Sequence, residues 1–191
     1  MDLKTILFKL LVFLNFPGGI LADDMGLGKT FLLISLILKQ KEIFEGNPDH
    51  EELEHKEKDD WLNKKGNKNS IRSKATLVIC PASLIGHWEA EVKSKVRSSG
   101  MTSMIYHGPS REKVSARQLA KYDIVITTYG TVQTEISKVI PEPEGKKSNR
   151  LDDLKPINLD DVDTKKAALL NIVWERIILD EAHQIRNPLG K

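Results

Sequence analysis

The strongest chemical signal in the sequence is a phosphate-binding loop at residues 22–30, which read Ala-Asp-Asp-Met-Gly-Leu-Gly-Lys-Thr. The apolar residues 18–22 before it predict a short strand, and residues 29–41 after it predict a buried helix. Glycines let backbone N–H groups approach phosphate oxygens, and the N-terminus of the helix adds partial positive charge. In that arrangement Lys29 reaches the β- and γ-phosphates, and the Thr30 hydroxyl holds Mg²⁺.

The loop departs from the pattern G-x-x-x-x-G-K-[ST] at one position, because Asp23 stands in the place of the first glycine. An ordinary glycine-rich turn between a strand and a helix is therefore the alternative interpretation. The Gly-Lys-Thr ending and the correct flanking elements favour nucleotide binding. The predicted nucleotide-binding residues are Asp24, Met25, Gly26, Leu27, Gly28, Lys29 and Thr30.

A second chemical signal is the run Asp-Glu-Ala-His at residues 180–183, directly after the apolar residues 177–179. Acidic residues at the carboxyl end of a buried strand lie where open α/β sheets bind ligands. Asp180 suits a hold on Mg²⁺, Glu181 suits the polarisation of an attacking water, and His183 could sense the nucleotide. A helix N-cap is the alternative for the acidic pair. Together the two signals predict a site for a nucleoside triphosphate with Mg²⁺.

The elements that must position these residues alternate along most of the chain. Strands are predicted at residues 75–80, 102–107, 123–128 and 176–179, and helices at residues 84–97 and 111–121. Ser83 is the predicted cap of the first of these helices, and we expect Trp88 on its apolar face to lie in the core. Strands rich in Val, Ile and Leu and separated by helices are typical of a mostly parallel sheet covered on both faces. The predicted fold class is α/β.

The overall composition fits one folded domain with two polar insertions. The chain has 191 residues, of which 40% are hydrophobic and 29% are charged, which excludes wholesale disorder, collagen and a membrane-embedded bundle. Residues 42–74 and 141–166 are crowded with charged residues, and we expect both to be disordered surface insertions. Cys80 is the single cysteine of the sequence, which favours a reducing compartment. The net charge of +2 neither favours nor excludes a nucleic-acid partner.

Several sequence blocks together resemble the Swi/Snf-type ATPases, which are DNA translocases of helicase superfamily two. Within that family the blocks look most like the transcription-termination group, and the helicase-like transcription factors come second. The blocks are GGILADDMGLGKT at 18–30 (motif I), LVICPASLIGHW at 77–88 (motif Ia), YHGPSR at 106–111, DIVITTY at 123–129 (around motif Ib) and WERIILDEAHQIRNP at 174–188 (around motif II).

The resemblance implies that residues 18–191 are the first of two RecA-like P-loop lobes. In the family, ATP with Mg²⁺ binds between the lobes, and double-stranded DNA runs across both without its sequence being read. Carried over to this chain, the catalytic residues are Lys29, Asp180, Glu181 and His183, and Mg²⁺ is held by Thr30 and Asp180.

The same resemblance implies that Ser83, Thr127 and Thr128 contact DNA phosphates. A capping hydroxyl at the end of a strand is the alternative role for the two threonines. We further expect a nuclear protein, an RNA polymerase elongation complex as a partner, and no membrane association. His87 and His107 have no ligand partners at useful spacing, and we expect them to be structural or exposed.

Two departures from the family pattern affect these expectations. Upstream of the strand at Gly18 the family has a segment that contacts adenine through a glutamine, whereas here residues 3–16 are apolar and contain no glutamine. We expect residues 1–17 to be a buried helix or a wrongly assigned first exon, with a signal peptide as the alternative. The sequence also ends at Lys191, before any Thr-Gly-Thr-Pro block or second lobe. We therefore expect a partial gene product that is inactive alone.

The sequence leaves three candidate functions open. The first is the ATP-binding lobe of a DNA-dependent ATPase that acts in transcription termination or in chromatin and DNA remodelling, with a DNA-repair translocase as its variant. The second is a nucleotide-binding or interaction module without turnover. The third is a small P-loop kinase, against which the Asp-Glu-Ala-His run and the lack of an arginine-rich lid sequence both count.

Overall fold

The computed structural model describes residues 18–24, 26–46, 71–96, 100–139 and 167–185. These residues form an α/β unit around a parallel sheet of four strands, with a separate parallel pair of two short strands. In chain order the strands are β1 (Ile71–Arg72), β2 (Thr76–Cys80), β3 (Ser103–Ile105), β4 (Ile124–Thr128), β5 (Ile172–Val173) and β6 (Arg176–Leu179). The four-stranded sheet has the order β3-β4-β2-β6, and β1 pairs with β5.

Within the described residues, four α-helices connect and flank the strands. They are α1 (Lys29–Gly46), α2 (Ile85–Lys95), α3 (Ala116–Leu119) and α4 (Tyr129–Ser137). Short 3-10 helices lie at Ala82–Leu84, Pro109–Lys113 and Ala182–Ile185. Among the described residues, none of the helices combines the length and the apolar character that crossing a membrane needs.

The register of the sheet brings three strand ends to one edge. In β2 and β4, Cys80 lies opposite Thr128, and in β2 and β6, Ile79 lies opposite Leu179. Because all the pairings are parallel, the residues that follow β2, β4 and β6 meet at the carboxyl edge of the sheet. That edge is where open α/β sheets place their ligands.

Each face of the sheet is buried under its own apolar cluster. Along β2, Leu77 and Ile79 join one cluster together with residues of α4, whereas Val78 and Cys80 join the other with residues of α1 and α2. Successive side chains of a strand point to opposite faces, so this alternation shows that helices cover both sides of the sheet. The predicted α/β class is confirmed, and the layering is that of a RecA-like lobe.

Residues 18–22 and helices α1 and α2 differ from the predicted elements. Residues 18–22 form no strand, and Ile20 is 94% exposed, because within the described residues no strand pairs with them. Helix α1 continues past residue 41 to Gly46, since Phe44 prolongs its buried side. Ser83 does not cap α2: it lies inside the preceding 3-10 helix, and Leu84 occupies the N-cap position without a side-chain hydrogen bond.

The sequence analysis did not predict α4 or the β1–β5 pair. The predicted helix at residues 111–121 is split into a 3-10 helix and α3. Ser115 and Gln118 form a reciprocal capping box at the N-terminus of α3. The apolar segment 1–17 and the insertion 141–166 lie outside the described residues, as does Met25. The same holds for most of the first insertion, of which residues 71–72 form β1.

Candidate active site

The glycine loop before α1 has the backbone shape that its glycines permit. Gly26 and Gly28 have φ angles of 86° and 76°, a region that side chains with a Cβ rarely adopt. The Lys29 ammonium donates hydrogen bonds of 2.8 Å to the main-chain oxygens of both Asp23 and Asp24. Because the side chain of Leu27 is 64% exposed, the loop faces outward from the start of α1 and is accessible to a ligand.

Asp180 follows β6 directly and is fixed through four of its polar atoms. Its main-chain N–H donates to the Ile79 oxygen at 2.9 Å, and its main-chain oxygen accepts from the Tyr129 hydroxyl at 2.8 Å. Its Oδ2 accepts from the Trp88 indole at 2.7 Å, and its Oδ1 accepts from the Glu181 N–H at 3.0 Å. Residues from β2, α2 and α4 therefore converge on this aspartate.

Glu181 has an unusual backbone conformation. Its φ angle is 51°, and among the described residues it is the non-glycine residue with positive φ. Its Oε2 lies 3.0 Å from His183 Nδ1, an ion pair when the histidine is protonated. Left-handed backbone at a glutamate costs of order 1–3 kcal/mol and is concentrated at functional sites in proteins. The carboxylates of Asp180 and Glu181 therefore have different partners although the two residues are adjacent in sequence.

The surroundings of Asp180 keep its neighbours neutral. Burial, with the negative charge of Asp180 as the second cause, raises the pKa of the Cys80 thiol to about 12. Burial, and then the charge of Asp180, also raises the pKa of Tyr129 above its ordinary value. The Tyr129 hydroxyl therefore keeps its proton at neutral pH and can remain the donor to Asp180.

The carboxylates and the loop have the donor chemistry that Mg²⁺ with a triphosphate needs. Each carboxylate oxygen of Asp180 accepts one hydrogen bond, which leaves lone pairs available to a hard cation. Among the described residues there is no cluster of three or more His, Cys, Asp or Glu side chains that could enclose a metal. Mg²⁺ usually binds through one or two protein oxygens together with substrate phosphates and waters, and the Asp180 carboxylate can supply such an oxygen. Thr30 is half-buried at the first turn of α1, beside Lys29.

The three residues predicted to contact DNA lie in different environments. Ser83 is exposed in the turn before α2. Thr127 is fully buried and donates its hydroxyl to the Tyr106 oxygen at 2.8 Å. Thr128 is 5% exposed and caps α4, since its hydroxyl accepts from the N–H of Thr131. Ser83 is therefore the exposed residue of the three, and a phosphate contact by any of them stays a prediction.

Two histidines and a tryptophan occupy the positions that the sequence led us to expect. His87 and His107 are exposed, and His107 Nδ1 lies 3.2 Å from the Thr131 hydroxyl. Trp88 is 1% exposed and belongs to the core cluster under α1 and α2. The sequence analysis did not anticipate that Trp88 and Tyr129 contact Asp180. A weak signal was present for Tyr129, which directly follows the predicted strand ending at Thr128, whereas Trp88 lies eight residues after the end of β2.

A cleft of about 240 Å³ lies at the opposite, amino edge of the sheet and is lined by Lys41, Lys74, Thr76, Asp123 and Arg176, among others. Three of the charged groups that line it have partners, since Lys41 donates to Asp123 at 3.0 Å and Arg176 donates to Gln40. We assign this cleft no ligand, and the candidate site is the carboxyl edge.

Comparisons with known proteins agree with this geometry. Residues 10–191 match the family model described as SNF2-related domain. The chain is 38% identical over 181 residues to transcription termination factor 2 of Drosophila melanogaster, and the match covers 89% of this chain and 14% of that protein. It is 32% identical over 176 residues to DNA repair protein RAD5 of Candida glabrata, with coverage of 89% and 14%.

A plant relative is similar over a larger share of its length. The chain is 30% identical over 241 residues to helicase-like transcription factor CHR28 of Arabidopsis thaliana, and the match covers 91% of this chain and 24% of that protein. The chain therefore spans about a seventh to a quarter of the length of these three relatives.

Proposed function

Because the chain belongs to the SNF2-related domain family, a family of helicase-like ATPases, we propose that residues 18–191 are the ATP-binding lobe of a double-stranded-DNA-dependent ATPase and translocase. The observation that carries this proposal is the immobilised Asp180 at the carboxyl end of β6, followed by Glu181 in a left-handed backbone conformation. The left-handed glycines before α1 support the same function, because they leave the loop open to phosphate oxygens.

In this proposal each residue of the site has a separate role in ATP hydrolysis. Lys29 releases the carbonyl oxygens of its own loop and binds the β- and γ-phosphates of ATP. Thr30 and Asp180 would hold Mg²⁺, which would neutralise charge on the phosphates. Glu181 accepts a proton from the water whose oxygen attacks the γ-phosphorus, while the bond to the β-phosphate oxygen breaks and ADP leaves. The 3.0 Å contact of Glu181 Oε2 with His183 Nδ1 orients the carboxylate for that proton transfer.

The partner in this proposal is duplex DNA, bound without reading its sequence. The exposed Ser83 hydroxyl supports a phosphate contact at the turn before α2, and contacts to phosphates position a duplex without carrying sequence information. Thr127 and Thr128 would reach phosphates only if their present hydrogen bonds open. We assign the protein to the nucleus, since the similar proteins have transcription and repair in their names.

Two biological roles follow from the relatives. The similarity to transcription termination factor 2 favours a role in termination, with an RNA polymerase elongation complex as the partner. The similarity to DNA repair protein RAD5 supports the second candidate, a DNA-repair translocase. Both candidates require the same ATP site and the same duplex, so release of a transcript from a stalled elongation complex would separate them.

Calorimetry with the chain of 191 residues tests the shared chemistry. ATP should bind in the presence of Mg²⁺ and much more weakly in EDTA. Asp180→Asn should weaken binding, and excess Mg²⁺ should partly restore it, since the amide oxygen is a weaker ligand than a carboxylate. Absence of any Mg²⁺-dependent ATP binding would overturn the proposal.

The hydrolytic role of Glu181 needs a chain extended by a second lobe. Glu181→Gln keeps the size of the side chain but removes its negative charge, so ATP should still bind while phosphate release falls by orders of magnitude. Turnover at the unaltered rate would show that Glu181 is not the base.

A further inference from the structure

We propose that Trp88 is a positioning residue for Asp180, and that its indole N–H, in addition to its bulk, sets the affinity of the site for Mg²⁺ with nucleotide. The inference rests on the proposed function, because it assigns Asp180 to the Mg²⁺ site. The inference adds Trp88, a core residue 92 positions before Asp180, to the residues that control metal binding.

The geometry fixes the plane of the carboxylate. Trp88 Nε1 donates to Oδ2 at 2.7 Å from one side, and the Glu181 N–H donates to Oδ1 at 3.0 Å from the other. With one donor on each oxygen, the side chain of Asp180 cannot rotate without breaking one of the two bonds. The remaining lone pairs therefore keep a constant direction before any ion arrives, which lowers the cost of ordering the ligand on binding.

The indole itself is immobile. Trp88 is 1% exposed and packs in the cluster that α1 and α2 form over the sheet. The main chain of Asp180 is also held, by the Ile79 oxygen on one side and the Tyr129 hydroxyl on the other. Both partners of the indole–carboxylate bond are thus anchored on rigid elements, as a preorganised site requires.

Trp174 of the same chain provides an example of an indole hydrogen bond with a structural role. Trp174 Nε1 donates to the main-chain oxygen of Leu169, only five residues away, at 3.0 Å. A backbone carbonyl satisfies a buried indole N–H fully. Trp88 has instead a charged acceptor at the predicted metal site, and hydrogen bonds to ionised groups are shorter and stronger than neutral ones. Trp174 is therefore the matched control for Trp88.

The first measurement follows the indole N–H resonances in a ¹H–¹⁵N spectrum of the chain. Because the sequence has three tryptophans, Trp61→Phe and Trp174→Phe assign two of the resonances and leave that of Trp88 as the third. Replacing the charged acceptor in Asp180→Asn should shift the Trp88 indole proton upfield and leave the Trp174 proton in place. Adding Mg²⁺ and ATP to the unaltered chain should shift the Trp88 resonance and again spare that of Trp174. If the chemical shift of the Trp88 indole proton is the same in Asp180→Asn and in the unaltered chain, the inference is overturned. This test does not depend on the folding of a Trp88 variant.

The second measurement compares affinities. Trp88→Phe keeps an aromatic ring in the core but removes the N–H, and it should raise the Kd for ATP with Mg²⁺ by about tenfold while leaving the Kd in EDTA unchanged. Trp174→Phe should change neither value. Equal Mg²⁺ dependence in Trp88→Phe and the unaltered chain would overturn the positioning role. Failure of the unaltered chain to bind ATP with Mg²⁺ would overturn the proposed function instead.

Discussion

The ammonium nitrogen of Lys29 lies 2.8 Å from the main-chain oxygen of Asp24, so the first residue of α1 holds the loop that precedes it. A second bond of the same length runs to the Asp23 oxygen. The two carbonyl oxygens accept hydrogen bonds from the Lys29 ammonium, which in the proposed complex would donate to phosphate oxygens instead. The loop is thereby kept in a compact form whose lysine is already located beside the left-handed Gly26 and Gly28.

The first prediction is that Lys29→Ala abolishes most ATP binding. Without the ammonium, the anionic β- and γ-phosphate oxygens lose their charged partner, and a charge-assisted hydrogen bond contributes about 1.5–3 kcal/mol, or one to two orders of magnitude in Kd. Calorimetry with Mg²⁺ and ATP should show that loss, and circular dichroism should show an unchanged helix content.

Lys39→Ala is the matched control for this loss. Lys39 lies on the same helix, and its ammonium pairs with Glu42 on the exposed surface. The variant removes the same charge and should bind ATP normally. Equal affinity in Lys29→Ala and Lys39→Ala would contradict the phosphate-loop assignment.

The second prediction concerns the hydroxyl that supports the main chain of Asp180. Tyr129→Phe removes the 2.8 Å hydrogen bond to the Asp180 oxygen and leaves a partly buried carbonyl without that donor. We expect the free energy of unfolding in urea to fall by about 1 kcal/mol. Tyr122→Phe is the control, because Tyr122 packs on the same cluster and its hydroxyl has no hydrogen bond within the described part of the chain. An equal effect of the two substitutions would show that the Tyr129 hydroxyl contributes nothing.

The sequence predicted the strands that precede the candidate site residues but not the contacts that hold Asp180. Apolar runs located β2, β4 and β6 to within about one residue, because strands buried on both faces leave a continuous signal. Asp180 was placed at a strand end by that signal alone. Its bonds to Trp88 and Tyr129 join residues 92 and 51 positions apart, and local patterns carry no information about such pairings.

Local patterns also failed where tertiary contacts decide the outcome. Residues 18–22 have the composition of a strand but lack a partner among the described strands. Serine is a common N-cap residue, so the sequence predicted that Ser83 caps α2. The chain instead forms a 3-10 helix directly after Pro81, and the α-helical N-cap falls one residue later, at Leu84.

The third prediction is a loss of stability in mild alkali. Burial raises the pKa of Cys80 from 9.0 to about 12, with the charge of Asp180 as the second cause, and burial followed by the charge of Glu135 raises that of Tyr106 from 10.0 to about 12. The folded state therefore keeps protons that the unfolded state releases. The contribution of these two groups to the free energy of unfolding is fully present below pH 9. It decreases as the pH rises from 9 to 12 and is lost above the folded pKa values.

Urea unfolding at pH 8, 9, 10 and 11 measures this decline. Because the thiol of the unfolded chain ionises about one pH unit before the phenol, Cys80→Ala should flatten the decline between pH 9 and 10. Tyr106→Phe should flatten it only from pH 10 upward. Stability that stays constant from pH 8 to 11 in the unaltered chain would be incompatible with the raised pKa values.

The last prediction is that the purified chain of 191 residues binds ATP and duplex DNA weakly, yet its phosphate release does not respond to DNA. Phosphoryl transfer depends on positive charge delivered to the γ-phosphate, and an arginine supplied to that position typically contributes about 10³–10⁵ in rate. The family resemblance places those arginines in a second lobe, and DNA stimulation requires the duplex to bias the closure of two lobes. Steady-state phosphate release with and without linear duplex DNA is the measurement, and Lys29→Ala controls for contaminating ATPases. Robust release that DNA raises and Lys29→Ala abolishes would show that these 191 residues contain a complete catalytic site.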